Sequence, residues 1–229
     1  MLRAILFDFN GVIVDDEPLH FLLFQKTLAQ KKIKLTQEDY YEKYLGYDDY
    51  DCFKMVLKDQ KISPEEDLIR ELIKTKGNLY LQELTKKDLF VPGVIEFIRQ
   101  VSEKYFLGIV SGALRQEIEV WLKRGKIYPL FQTVVAAEDI TDGKPNPEGY
   151  YKAVSLINRD SVPSSEMILP PECLVIEDSK WGIEAAHAAG MKCLALATSY
   201  PRTAFKDADW VVESYAEINL SEIEKDFEK

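Results

Sequence analysis

The chain is short of the residues that build disulfide frameworks and zinc sites. Its three cysteines, Cys52, Cys173 and Cys193, are odd in number and share no CxxC spacing, and only His20 and His187 stand beside them. They read as reduced thiols in a cytoplasmic protein. No apolar run approaches the length of a membrane span. No secretory signal is expected at the start, because Arg3 leads into a short run that ends in acid. Positive charge is also scarce. Lys+Arg 29 against Asp+Glu 39 gives a net charge of -10. Such a field repels polyanions, which excludes a general nucleic-acid or anionic-membrane binder. An anionic substrate would need a local cation from a metal, a lysine or helix amides. Internal repeats and low-complexity tracts are absent.

What remains is an ordinary globular composition. With 229 residues, 46% of them hydrophobic, the chain can bury a full core as one domain or one domain with an insert. Short, uniformly apolar runs at residues 3–7, 106–110, 133–136, 173–176, 193–197 and 210–212 read as buried strands. Helical patterns at 94–104, 115–124, 148–157 and 182–189 lie between them. Alternation of this kind predicts an α/β fold, a Rossmann-like parallel sheet with helices on both faces and ligands at the carboxyl ends of the strands.

From residue 16 to 87 no strand is expected. Leu19, Leu22, Leu23 and Phe24 form a stripe of helical period, Thr36 opens a second helix, and Ser63-Pro64-Glu65-Glu66 opens a third. "VPGVIEF" then restarts the α/β pattern. The expected organisation is therefore a core of residues 1–15 and 88–229, with an all-helical cap of residues 16–87 inserted after the first strand.

Several strand ends carry chemistry. Asp8 follows the first strand, Ser111-Gly112 follows "FLGIV", Lys144 sits in the Gly/Pro-rich "DGKPNP", and Glu177-Asp178 follows "CLVI". On a parallel sheet these ends can share one rim. The acids offer hard oxygen ligands to Mg²⁺. Lys144 and the metal can neutralise phosphate charge, Ser111 and nearby amides can hold its oxygens, and Asp8 can then attack phosphorus. Blander roles stay open: Asp8 as a turn cap, Lys144 as a solvated loop residue, Ser111 as a helix N-cap, and Glu177-Asp178 as the start of a helix.

"FDFNGVIVDDE", "VSGA", "GKPNP" and "VIEDSKWGIEAAHAAGM" together resemble the four ordered motifs of the haloacid dehalogenase-like hydrolases. The branch resembled has a helical cap after the first motif and includes sugar phosphatases, phosphoglycolate phosphatases and β-phosphoglucomutases. The resemblance implies that Asp8 is the nucleophile and forms an aspartyl-phosphate, and that Ser111, Gly112 and Lys144 bind the phosphoryl group. It also implies that Mg²⁺ is held by Asp8, the Asn10 carbonyl, Glu177 and Asp178. A small phosphorylated metabolite is the expected partner, with the protein as monomer or homodimer.

Asn10 departs from that pattern. The family's phosphatases and mutases carry a second aspartate there, which protonates the leaving oxygen. An amide hydrogen-bonds but does not trade a proton at neutral pH. Four explanations stand together: a slow phosphatase, substitution by Asp15, Asp16 or Glu17, a laboratory Asp replacement, or deamidation at Asn10-Gly11. "GYDDYDCF", residues 46–53, brings acid where the mutases carry a phosphate-gripping arginine. His20, on the expected first cap helix, is either a packed residue or a substrate contact. His187 is expected to pack within its helix, and the tyrosines from Tyr40 to Tyr50 to form cap core and rim.

Overall fold

The computed structural model describes residues 1–83 and 88–228. Two compact units divide the chain, Met1–Asp15 with Phe90–Lys229, and Asp16–Leu89. The end of the helical insert expected at residue 87 falls outside the described residues.

The first unit holds one six-stranded sheet, ordered β3-β2-β1-β4-β5-β6. The strands are β1 (Ala4–Phe7), β2 (Phe106–Val110), β3 (Thr133–Val135), β4 (Cys173–Glu177), β5 (Lys192–Leu196) and β6 (Trp210–Val212). Every pairing is parallel. β1 and most of β2, β4 and β5 are wholly buried, as expected of strands covered on both faces. The chain leaves β1 toward β2 and β3, then returns to the other side of β1 through β4. That reversal opens a crevice at the carboxyl ends of β1 and β4, where such sheets bind ligands.

In the second unit α1 (Glu17–Gln30), α2 (Gln37–Asp39), α3 (Asp49–Asp59) and α4 (Glu66–Glu83) contain no strand among the described residues. Thr36 caps α2 by accepting from the Asp39 amide, and Asp48 caps α3 by accepting from Asp51. Their core gathers Phe24, Leu28, Tyr40, Phe53, Leu57 and Ile69, with Phe24 and Phe53 meeting edge to face at 4.9 Å.

Back in the first unit, α5 (Val94–Ser102) buries Val94, Phe97, Ile98 and Val101, one face at helical spacing. Phe97 and Phe131 both meet the Phe7 ring edge-on, which anchors the end of β1 next to Asp8. The remaining helices are α6 (Arg115–Arg124), α7 (Glu148–Ser161), α8 (Lys180–Ala188) and α9 (Leu220–Lys225). Ser179 starts α8 by accepting from the Gly182 amide. His187 does not pack inside α8. It faces solvent, and its Nε2 pairs with Asp209 Oδ2 at 3.0 Å. The three cysteines are free and buried. Among the described residues no helix is long and apolar enough to cross a membrane.

Candidate active site

Register carries the acids to one place. Phe7 pairs with Ile176, so the next residues along the two strands, Asp8 and Glu177, lie side by side. The Asp8 amide donates to the Ile176 carbonyl at 2.9 Å. Oxygens of Asp8, Glu177 and Asp178 lie within 4.8 Å of one another, all three residues buried. Lys144 reaches this group from the loop before α7. Its three N–H bonds go to Asp8 Oδ1 at 2.7 Å, the Val110 carbonyl at 3.0 Å, and Glu177 Oε1.

Three carboxylates around one ammonium leave an excess of negative charge in a dry place. Burial pushes the Asp8 carboxyl up to about 6, against the pull of Lys144 and with added push from Glu177. Asp178 rises well above the ordinary range, first through burial and then through Asp8 and Glu177. Burial opposes the charge on Lys144, yet its two carboxylate partners hold its pKa above the usual lysine value. The donor set is all oxygen, hard and anionic, which suits Mg²⁺ and gives the excess charge a counter-ion.

Ser111 follows β2 at the same rim and is buried. Its Oγ accepts from the Ala113 amide at 3.1 Å, across Gly112, in a short turn; α6 begins later, with Leu114 at its cap. Asn10 lies half-buried in the loop after β1, where it forms an isolated bridge with Val14. Gly11 at φ +71 makes that loop possible, since a Cβ would strike Asp178 Oδ2 and crowd Ser199 Oγ. Thr198 donates to the Gly11 carbonyl, and Tyr215 to the Val12 carbonyl at 2.9 Å.

His20 belongs to the helical unit. It lies on α1 with Nε2 3.2 Å from Asp16 Oδ2 and Nδ1 2.8 Å from Lys76 Nζ. An ammonium only donates, so Nδ1 accepts and Nε2 carries the proton toward Asp16. Lys76 also pairs with Asp49, and its Nζ lies 4.5 Å from the Phe24 ring centre.

Sequence reasoning passed over Tyr150, Ser199 and Lys76. Ser199 hydrogen-bonds Asp178 Oδ2 from the loop after β5. Tyr150 donates to Glu177 Oε1 at 3.0 Å. The only written signal for Tyr150 is its place six residues after Lys144 in "GKPNPEGY".

Sheet and rim together are those of a Rossmann-like α/β protein with its site at the topological switch point. Within that class, the family model described as Haloacid dehalogenase-like hydrolase matches residues 5–196. The chain belongs to this family. It is 25% identical over 191 residues to the Phosphorylated carbohydrates phosphatase of Thermotoga maritima, covering 83% of each. It is 26% identical over 236 residues to the Beta-phosphoglucomutase of Bacillus subtilis, covering 100% of this chain and 96% of that one. A crystal structure of a CbbY mutant from Rhodobacter sphaeroides, in complex with xylulose-(1,5)bisphosphate, shares the fold at TM-score 0.83 and 23% identity, over 96% of this chain and 97% of that one.

Proposed function

We propose that the protein hydrolyses a phosphate monoester of a small metabolite, with Asp8 as nucleophile and Mg²⁺ as cofactor. The observation that carries this reading is the ion pair of Lys144 with Asp8 beside buried Glu177 and Asp178. Asp8, Asp178 and the Asn10 carbonyl are the groups that would hold Mg²⁺, with Glu177 beside them. The metal supplies charge neutralisation at the phosphoryl oxygens. Asp8 attacks phosphorus and the ester P–O bond breaks, leaving an acyl phosphate on Asp8. Water then attacks that phosphorus and frees Asp8. Lys144 and Ser111 with its neighbouring amides orient the phosphoryl oxygens. The leaving oxygen takes its proton from a donor other than the Asn10 amide, so turnover is slow for this family. Substrate choice is assigned to the helical unit.

A phosphomutase is the second reading, supported by likeness to the Bacillus subtilis Beta-phosphoglucomutase over the whole chain. The start of α3 speaks against it. Asp48, Asp49 and Asp51 stand there, in the stretch where the resemblance to the mutases implies a phosphate-gripping arginine. A phosphate-binding or regulatory protein with little turnover is the remaining reading, kept by Asn10. Steady-state assays with Mg²⁺, a panel of sugar phosphates, phosphoglycolate and an aryl phosphate separate the three. The hydrolase reading expects phosphate release at least about a hundredfold above an Asp8→Ala control, the low end of what a positioned nucleophile and its supports supply. Saturable binding without release identifies the binding protein, and isomerised sugar phosphate identifies the mutase.

A further inference from the structure

Glu177 is the most heavily bonded side chain of the rim. Its Oε1 accepts from Lys144 Nζ and from Tyr150 OH. Its Oε2 accepts from the Asp178 amide at 3.1 Å, the Ser179 amide at 3.2 Å and the Ser179 hydroxyl at 3.0 Å. A carboxylate offers about four lone-pair sites, and five donors already surround this one. The residue is wholly buried. α8 lies so close behind the carboxyl group that a Cβ at Gly182 would overlap it. Asp178 is bonded differently, with one short bond from Ser199 to Oδ2.

Tyr150, in the first turn of α7, is buried at 1% exposure. It reaches the same lysine once through Glu177 and once directly. Its hydroxyl bonds the carboxylate that Lys144 bonds, and its ring centre lies 5.6 Å from Lys144 Nζ. The ammonium is thus held by Glu177 and the Val110 carbonyl, which leaves the N–H bonded to Asp8 as the one that can turn to a phosphoryl oxygen. We infer that Glu177 holds Lys144 rather than the metal, and that Tyr150 is a positioning residue that sets Lys144 for the phosphoryl group through Glu177. Removing the hydroxyl frees Oε1 to draw the ammonium deeper, away from the substrate. This inference rests on the phosphatase reading and deepens it.

The test is calorimetric titration of the full chain with MgCl₂, and then with inorganic phosphate at saturating Mg²⁺, for wild type and Tyr150→Phe. Tyr150→Phe keeps the ring, so its Mg²⁺ affinity is expected within about threefold of wild type, well below the usual cost of losing a ligand's support. Its phosphate Kd is expected to rise about fivefold or more, the scale of one buried hydrogen bond to a charged group, with a matching fall in kcat/KM and a KM that rises more than kcat falls. A folded Tyr150→Phe protein with wild-type phosphate affinity overturns the inference, as does one that loses Mg²⁺ more than phosphate. If Tyr150→Phe does not fold, Glu177→Gln decides. Mg²⁺ retained within about tenfold alongside a larger loss of phosphate supports the inference, and a loss of Mg²⁺ of about a hundredfold or more makes Glu177 a ligand and ends it. A wild-type protein that binds neither probe sinks the phosphatase reading itself, a result distinct from a variant that merely matches wild type.

Discussion

On the proposed reading, Asn10 is the residue on which turnover depends. Acid–base help at that position is worth about a hundredfold to ten-thousandfold, or roughly 3–5 kcal/mol of barrier. Asn10→Asp is therefore expected to raise kcat with an aryl phosphate by about tenfold or more. No gain, with Mg²⁺ binding intact, would show that another group already moves the proton. The fold also works against spontaneous conversion of Asn10. Deamidation needs the Gly11 nitrogen to close on the side-chain carbonyl, and that N–H is bonded to the Val14 carbonyl at 2.6 Å. Legibility at this scale followed position. Asp8, Lys144, Glu177 and Asp178 were readable because a charge at the end of an apolar run, or locked between Gly and Pro, has few bland uses. Tyr150 was not, because an aromatic at helical spacing on α7 reads as core, and most of its ring is core. Lys76 was hidden for the opposite reason. A lysine in an amphipathic helix reads as solvated, yet its side chain is wholly buried against His20, Asp49 and Phe24.

Among the elements, α8 shows how helix preference yields to the site. Alanine is about 1 kcal/mol better than glycine inside a helix, so Gly182→Ala judged on propensity alone should stabilise. The added Cβ would instead occupy the Glu177 carboxyl group. We expect a net loss of about 2 kcal/mol from displacing a buried, hydrogen-bonded charge. That corresponds to a Tm lower by roughly 4–8 °C in a thermal melt, with phosphate binding lost alongside. A Tm at or above wild type would mean that the carboxylate moves aside freely. The strands were legible because both faces are buried, which writes an apolar run with polar ends. α5 and α6 matched their periodic stretches, while α7 runs four residues beyond its expected end at 157, to Ser161. The short 3₁₀ turns, such as Tyr128–Leu130 and Ala137–Asp139, left no readable period because a single turn is too short to repeat. Pro64 was expected inside the third helix of the insert, but α4 starts at Glu66.

For the whole molecule, the crowding of like charge at the rim makes stability depend on pH and cation together. Asp8 has a carboxyl raised from 3.8 to about 6 by burial in the folded chain. Between those values the native state keeps a proton that the unfolded state has lost, so stability falls as pH rises through that window. The penalty is absent below the lower value and complete above the upper. Asp178 shifts in the same direction. In EDTA, Asp8→Asn is therefore expected to melt above wild type at about pH 7.5, with the gap closing toward about pH 4. MgCl₂ at about a hundred times its Kd should stabilise wild type by about 2.7 kcal/mol and the variant far less. A gap that ignores pH would remove Asp8 ionisation as its cause.

The position of β1 has a consequence for synthesis. It is the first of the sheet's six strands to be made, yet it belongs between β2 and β4, and β4 begins only at Cys173. At ~5–20 residues per second, roughly ten to thirty seconds pass between translation of the first strand and translation of its last neighbour. Throughout that interval one edge of Ala4–Phe7 has no native partner, so an emerging chain is expected to need shielding there until the ribosome has passed Glu177.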